Sequence, residues 1–302
     1  MVPRSARTIL RFTLLAALVS CGEGSGLSPL ETPEQLGNGS LLVTSRRDGN
    51  LEIYLMDADG THARRLTFHN GIDQNADWAP GGFKFAFMAN RDGDFEIYVM
   101  FTTGLGLQQL TNNTTTDGLP RWSPDGSRIL YTSLRDGALD LFVMGSDGTN
   151  QTRLTMNAGD NVGGAWSPDG TRIAFLSTRS GSEELYVMRS DGTDPVRLTN
   201  NDAVEGNRVV WSPDGSRIAF HADQSGNTDI YVIDANGGNL TRLTTDASRD
   251  RFPTWSPSGS QIAFTTDRDG DEEVYLMKPD GTGVVRLTRS GGLDVLESWH
   301  RR

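Results

Sequence analysis

Carboxylic acids stand at a repeated position of this 302-residue sequence, five or six residues ahead of each tryptophan. The acids are Asp73, Asp117, Asp160, Glu205, Asp250 and Asp294, and the tryptophans are Trp78, Trp122, Trp166, Trp211, Trp255 and Trp299. Six carboxylates around one opening would repel one another, so they need a cation, a basic partner, raised pKa values or private hydrogen bonds. The pattern predicts a Ca²⁺ or basic-peptide site at that opening; alternatively, each carboxylate caps the backbone N–H groups of its own loop.

A second series of acids stands two residues before an aromatic residue in each unit. Its members are Glu52, Glu96, Asp140, Glu184, Asp229 and Glu273. The loop ahead of them carries an arginine in five units, at Arg47, Arg91, Arg135, Arg179 and Arg268. We expect each of these arginines to pair with the following carboxylate and to hold loop to strand. Such even repetition favours structure or binding, because catalysis needs different residues in different roles.

The sequence contains no G-x-S-x-G elbow, no H-E-x-x-H motif and no phosphate-binding glycine loop. Its one cysteine excludes an intramolecular disulfide and a cysteine-based zinc site. The four histidines occupy different places in their repeats, and we expect His221 to lie in a loop after a strand. A polysaccharide hydrolase or lyase that uses two carboxylates across a channel remains the alternative function.

The composition is that of a globular, acidic protein. Hydrophobic residues make up 36% of the chain, and 28 Lys and Arg against 39 Asp and Glu give a net charge of −11. No run of basic residues occurs, so nucleic acid is not an expected partner.

The spacing of the tryptophans sets the architecture. The gaps between them are 44, 44, 45, 44 and 44 residues, a period that matches one four-stranded propeller blade. In each unit a short strand ends at the tryptophan, a tight turn follows, and two β-rich runs and a last short strand complete the blade. We expect each tryptophan to fill the gap between neighbouring blades.

The two ends of the repeat region complete each other. Residues 40–67 contain three strands and no tryptophan, whereas residues 293–300 contain a tryptophan strand alone. Joining both ends in one sheet closes the ring and removes two exposed edges. We therefore predict an all-β, six-bladed β-propeller over residues 40–302, with four antiparallel strands per blade and a first blade closed by both termini.

The units share the patterns WSPDGxxIAF, RDGxxxIYVM and DGTxxxRLT at fixed spacing across residues 40–300, and residues 101–107 (FTTGLGL) lack the Asp-Gly turn. These repeats resemble the WD-like propeller repeats of the TolB family. The resemblance implies association with the cell envelope and a protein or peptide partner on the loop-rich face. TolB proteins also have an N-terminal α/β domain, which residues 22–39 are too short to supply.

The N-terminal residues have the features of an export signal. Residues 1–20 carry Arg4, Arg7 and Arg11 and no acid, and residues 12–19 are mostly apolar, which is typical of a signal peptide. The sequence Leu-Val-Ser-Cys that ends at Cys21 resembles the lipobox of bacterial lipoproteins, which implies lipidation of Cys21. Residues 21–39 then form the lipidated cysteine and a flexible tether.

Together these features predict a non-catalytic, monomeric propeller on the periplasmic side of the bacterial cell envelope. The lipid anchor is its expected membrane contact. The residue after the cysteine, Gly22, is not the aspartate that favours inner-membrane retention, so we expect the outer membrane.

Overall fold

The computed structural model describes residues 39–156, 159–200, 204–223 and 226–301. Residues 1–38, with the predicted signal peptide, Cys21 and most of the tether, lie outside the described part. Six separate sheets, each of four antiparallel strands, make up the described chain, together with a short 3-10 helix at Arg135–Gly137. The described residues include no helix that is long and apolar enough to cross a membrane.

The strands of each blade are ordered from the innermost to the outermost. The inner strands are β24 (Asp294–Arg301), β4 (Asp73–Trp78), β8 (Asp117–Trp122), β12 (Asn161–Trp166), β16 (Val204–Trp211) and β20 (Asp250–Trp255). The second strands are β1 (Gly39–Ser45), β5 (Lys84–Ala89), β9 (Arg128–Ser133), β13 (Arg172–Ser177), β17 (Arg217–Asp223) and β21 (Ile262–Thr266).

The outer half of each blade is built in the same way. The third strands are β2 (Glu52–Asp57), β6 (Glu96–Phe101), β10 (Asp140–Gly145), β14 (Glu184–Arg189), β18 (Thr228–Asp234) and β22 (Glu273–Met277). The outermost strands have two residues each: β3 (Arg64–Arg65), β7 (Gln108–Gln109), β11 (Thr152–Arg153), β15 (Val196–Arg197), β19 (Thr241–Arg242) and β23 (Val285–Arg286).

Both ends of the chain meet in the first blade, where the strand order is β24-β1-β2-β3. Leu41 of β1 lies opposite Trp299 of β24, and Gly39 lies opposite Arg301. The predicted six-bladed, all-β propeller is therefore confirmed, including the first blade that both termini close.

Side chains at the turn after each tryptophan explain why the second strand begins where it does. In the third blade, the carboxylate of Asp125 accepts hydrogen bonds from the Ser123 hydroxyl at 2.6 Å and from the Ser127 N–H at 3.0 Å. Gly126 takes a φ of 70°, which glycine adopts without strain. The hydrogen bonds from both serines lower the pKa of Asp125 to about 2.

The hydrophobic core is divided among the six junctions between blades. Each junction holds one buried cluster that combines side chains of two adjacent blades with one tryptophan. Trp211, for example, packs with Leu176 of the preceding blade and Phe220 of its own, and its indole N–H donates to the backbone O of Ala165 at 3.1 Å. The tryptophans therefore fill the gaps between blades, as predicted.

Every inner strand contains a β-bulge, where its pairing register with the second strand of the blade shifts. Three non-glycine residues in these bulges, Asn75, Leu119 and Phe252, have left-handed φ values of 55°, 54° and 56°. The bulge of β16 is larger, because three residues, 206–208, lie opposite His221 alone. The fifth blade therefore departs from the regular ring at the wall of the channel.

Candidate functional site

The inner strands surround a central channel whose two ends differ. At the mouth face, the inner strands begin, next to loops such as residues 68–72 and 90–95. At the tryptophan face, the inner strands end at their tryptophans, next to turns such as residues 79–83 and 102–107.

The structure places four of the six predicted carboxylates at the start of inner strands, fully buried below the mouth face. Each forms an ion pair with an arginine of the same blade: Arg91–Asp73 at 2.5 Å, Arg135–Asp117 at 2.8 Å, Arg268–Asp250 at 3.1 Å and Arg47–Asp294 at 3.0 Å. Each of these four carboxylates is therefore neutralised by an arginine of its own blade, which relieves the repulsion expected for a ring of unpaired acids.

The other two predicted carboxylates are placed differently. Asp160 lies one residue before its strand, is exposed, and accepts a hydrogen bond from the backbone N–H of Leu139 at 3.1 Å. Asn161 takes the buried position instead, and its side-chain oxygen accepts a hydrogen bond from Arg179 at 2.9 Å. Glu205 belongs to β16, but its side chain lies outside the described part of the structure.

The prediction that each loop arginine pairs with the third-strand carboxylate that follows it was wrong. They reach the inner strand, whereas five of the six third-strand acids pair with arginines of the outermost strand; Glu96 does not, because the outermost strand of its blade is Gln108–Gln109. These pairs are Arg65–Glu52, Arg153–Asp140, Arg197–Glu184, Arg242–Asp229 and Arg286–Glu273. The repeated Arg-Leu-Thr segment is the sequence signal for this second set of pairs.

Burial acts against the charge on some of these acids. It raises the pKa of Asp73 to about 6, although Arg91 opposes the shift, and it also raises the pKa of Asp250. Within the described ranges, no three His, Cys, Asp or Glu side chains are grouped so that they could hold a metal ion. A Ca²⁺ or basic-peptide site at the mouth face stays a prediction.

An ion pair between Arg208 of β16 and Glu297 of β24 crosses the channel itself, with side chains only 1% and 2% exposed. Arg208 also donates to the backbone O of Leu296 at 2.8 Å. Glu297 accepts hydrogen bonds from the Thr44 hydroxyl at 2.6 Å and the Asn75 N–H at 3.2 Å. Because β16 belongs to the fifth blade and β24 to the first, this pair links the two blades that flank the sixth.

The Arg208–Glu297 ion pair, called the strut below, was not predicted from the sequence, although two signals for it were present. The gap of 45 residues between Trp166 and Trp211 marks the extra residue in the bulge that carries Arg208. Corresponding positions of other inner strands hold the uncharged residues Asn75, Leu119 and Phe252. A charged residue that replaces an uncharged one at a repeated position of the channel wall therefore indicates a contact specific to that blade.

His221 lies beside the strut inside β17 and is buried, so the expected loop position was wrong. Its Nδ1 accepts a hydrogen bond from the Phe252 N–H at 3.4 Å. A side chain at Gly206 would meet the imidazole, because a Cβ there would lie 1.7 Å from Nε2. Burial, together with the charges of Arg208 and Arg251, lowers the pKa of His221 to about 3.

This low pKa predicts a loss of stability in mild acid. In the unfolded chain the imidazole titrates near 6.5, so protons bind the unfolded state first and stability falls below that pH. Relative to the variant His221→Gln, the wild-type free energy of unfolding should drop by about 2 kcal/mol between pH 7 and pH 5. Urea titrations at both pH values measure this difference.

The matched control is His62→Gln, which changes an exposed histidine of the first blade. Its stability should follow that of the wild type at both pH values. Equal pH profiles for the wild type and His221→Gln would contradict the assignment.

The channel opens at the tryptophan face into a cavity of about 280 Å³. Its rim is formed by tryptophans and by prolines of the turns that follow them. The polar side chains in its wall are Asp77, Arg121, Thr254, Glu297 and Ser298. Among the described residues, the hydroxyl of Thr254 is buried without a hydrogen-bond partner.

Arg121 and Asp77 differ in how far their charges are satisfied. Asp77 accepts hydrogen bonds from the Trp122 N–H at 2.8 Å and the Ser298 hydroxyl at 3.3 Å. Arg121 donates to the backbone O of Pro120 at 3.1 Å and forms no salt bridge with any described residue. Burial lowers the pKa of Arg121 and raises that of Asp77. The cavity therefore offers the Arg121 guanidinium to an acceptor group.

Comparison with known proteins agrees with this architecture. The curated "Protein TolB homolog" of Chlorobium luteolum is 37% identical over 57 residues, a stretch that spans 19% of this chain but only 13% of that protein. The crystal structure of TolB from Acinetobacter baumannii superposes with a TM-score of 0.75 at 23% identity, covering 88% of this chain and 67% of that one. An oligogalacturonate lyase from Vibrio parahaemolyticus superposes with a TM-score of 0.56 at 15% identity, covering 83% of this chain and 73% of that one. At these identities both superpositions show the fold alone.

The family model of the TolB beta propeller domain (PD40) matches residues 16–117, 106–210 and 208–302. These three matches run through all six blades, so the chain belongs to the TolB beta propeller family.

Proposed function

We propose that this chain is a non-catalytic binding protein of the bacterial cell envelope, anchored on the periplasmic side through a lipid on Cys21. Its partner is a protein or peptide that docks at an end of the central channel. Family membership and the export signal support this location, with the outer membrane as the expected site. Because each terminus pairs within the same blade, the chain is expected to act as a monomer.

The observation that carries the binding role is Arg121. The guanidinium of Arg121 is partly buried and forms no salt bridge with any described residue, so an incoming acceptor group could pair with it directly. The unpartnered hydroxyl of Thr254 lies in the same cavity. The chemistry therefore fits an acidic side chain or carboxyl terminus of a partner that rests on the tryptophan face.

The mouth face is the second place to test for a partner. Its carboxylates already have arginine partners, so a basic peptide or Ca²⁺ would have to compete with them. Loops of varied sequence on a rigid rim nevertheless remain suited to binding.

Capture from an envelope extract tests the proposal. The full chain is used as bait, recovered proteins are identified by mass spectrometry, and the purified partner is titrated against variants. Arg121→Gln should weaken binding about 10-fold to 100-fold, the effect of one lost charged hydrogen bond. The control is Arg189→Gln, an exposed arginine near the outer edge of the same face, which should bind like the wild type.

Two results would contradict this function. Degradation of an acidic polysaccharide by the purified chain would favour the lyase alternative, whose fold the Vibrio parahaemolyticus enzyme shares. Equal affinity of the wild type and Arg121→Gln would remove the cavity as the partner site.

A further inference from the structure

The second blade carries an exposed apolar corner on the tryptophan face, formed by Phe83, Phe101 and Leu105. These side chains are 76%, 40% and 71% exposed. Other blades place polar residues at most of the same repeat positions. The position of Phe83 holds Ser127, Thr171, Ser216 and Ser260, and that of Leu105 holds Thr61, Thr149, Thr193, Gly238 and Thr282. The corner is therefore a departure of one blade from the repeat.

Backbone hydrogen bonds hold the corner in shape. The N–H of Thr102 donates to the backbone O of Phe83 at 3.0 Å, which ties the two turns together. The N–H of Phe101 donates to the backbone O of Leu105 at 2.9 Å. The Phe101 ring lies over Gly106, where a Cβ would approach the ring to 2.5 Å. The apolar side chains thus project from a fixed double turn.

The corner has also lost acids that the other turns keep. Gly81 stands where other blades have Asp125, Asp169 and Asp214, and Thr103 stands where they have Asp59, Asp147, Asp191 and Asp280. Two cations lie beside it instead. Lys84 Nζ is 4.8 Å from the centroid of the Phe101 ring, and Arg64 donates to the backbone O of Thr102 at 2.7 Å. In a chain of net charge −11, this corner is apolar and basic.

The corner is close to the place where the described chain begins. Gly39 starts β1 on the tryptophan face, and its neighbour Ser40 lies opposite His300. The turn of the second blade packs on the same histidine, because a Cβ at Gly82 would lie 2.4 Å from its Nε2. Only seventeen residues, 22–38, separate Cys21 from Gly39. A lipid on Cys21 would therefore hold this face near the bilayer.

We propose that Phe83, Phe101 and Leu105 insert into the headgroup region of an anionic phospholipid bilayer, with Lys84 and Arg64 facing the lipid phosphates. This rests on the lipid anchor of the proposed function. Aromatic and leucine side chains flanked by basic residues bind such interfaces, and a second contact strengthens a lipid anchor. The contact would orient the ring, with the tryptophan face toward the membrane at the second blade.

A fluorescent label at the corner tests the contact directly. The full chain contains only Cys21, which lipidation would block, so Leu105→Cys gives one labelling site for an environment-sensitive fluorophore. The lipidated protein is reconstituted into phosphatidylglycerol-containing vesicles with and without doxyl-labelled lipid. We expect blue-shifted emission and strong quenching by the doxyl lipid. The label at Thr149→Cys, the same position of the third blade, should stay unquenched.

One further variant and a change of salt concentration separate contact from mere proximity. In the Leu105→Cys background, Phe83→Ser combined with Phe101→Ser should reduce quenching to the level of the Thr149 label. High salt should weaken quenching if Lys84 and Arg64 meet phosphates. Equal quenching at both label positions, or cross-linking of the corner to a second copy or another protein without lipid quenching, would overturn the proposal.

Failure of the anchor can be told apart from failure of the corner. Intact mass spectrometry of the processed chain reports whether Cys21 carries lipid. If it does not, the proposed anchoring fails, and the same vesicles are added to the unlipidated chain in which Cys21→Ser leaves position 105 or 149 as the one labelled site. Quenching at position 105 alone would then still support the corner, and its absence would refute it.

Discussion

Replacing Glu297 by alanine should lower the free energy of unfolding by about 3–5 kcal/mol, one of the largest effects expected of a single substitution. The change leaves Arg208 charged and buried in the channel with no counter-ion. It also removes the acceptor for the Thr44 hydroxyl and the Asn75 N–H. Urea unfolding at neutral pH, followed by tryptophan fluorescence, measures the loss.

A double-mutant cycle separates the value of the pair from the cost of breaking it. Arg208→Met combined with Glu297→Leu removes both charges, so it should recover most of the stability that Glu297→Ala loses. The matched control is Asp267→Ala, which breaks an exposed pair with Arg249 and should cost at most about 1 kcal/mol. A loss for Glu297→Ala no larger than that of the control would contradict a buried strut.

The strut also explains why the channel differs from a regular ring. Five inner strands leave the same gap between bulge and tryptophan, but the extra residue of β16 lets Arg208 reach past the sixth blade to Glu297 of the first. The cavity beyond it contains Arg121, which forms no salt bridge with any described residue although the charges of Asp77 and Glu297 act on it. The asymmetry of the channel thus comes from charged residues of three blades, Arg208 of the fifth, Glu297 of the first and Arg121 of the third.

The fold was predictable from sequence because each blade is one repeat with one tryptophan at a fixed place. The number of tryptophans sets the number of blades, and the incomplete ends reveal the closure. The partners of the loop arginines were not predictable in this way. Arg91, for example, stands between Asp73 and Glu96 along the chain, and only the antiparallel pairing of β4 with β5 brings it to Asp73.

Contacts between blades that are not neighbours are harder still to predict, because they are not part of the repeat. Arg208 and Glu297 are 89 residues apart, and neither charge recurs at the matching position of the other repeats. Departures from the repeat were visible in sequence, as with residues 101–107, but a departure does not state what it contacts. Three of the features that matter most here, the strut, the cavity arginine and the apolar corner, are all such departures.

Deleting residues 294–302 should abolish cooperative folding, because the first blade would lose its inner strand. Val295, Leu296 and Trp299 are buried in that strand, and losing each of such core side chains costs about 2–5 kcal/mol. Together these losses rival the about 5–15 kcal/mol that stabilises a typical domain. The truncated chain would also expose the inner edge of β1, which pairs with β24 in the intact chain. Circular dichroism and urea unfolding should show no native transition.

A circular permutant provides the control for this deletion, because it moves the chain ends without removing any strand. Gly39 and Arg301 lie opposite each other in paired strands, so a short Gly-Ser linker can join residue 302 to residue 39. New ends are opened between Asp194 and Pro195, which are both exposed in a turn. The permutant should unfold within about 1–2 kcal/mol of the parent chain, because all six sheets keep four strands. If the truncated chain instead unfolded at the parent's urea midpoint, the two termini would not be what holds the ring closed.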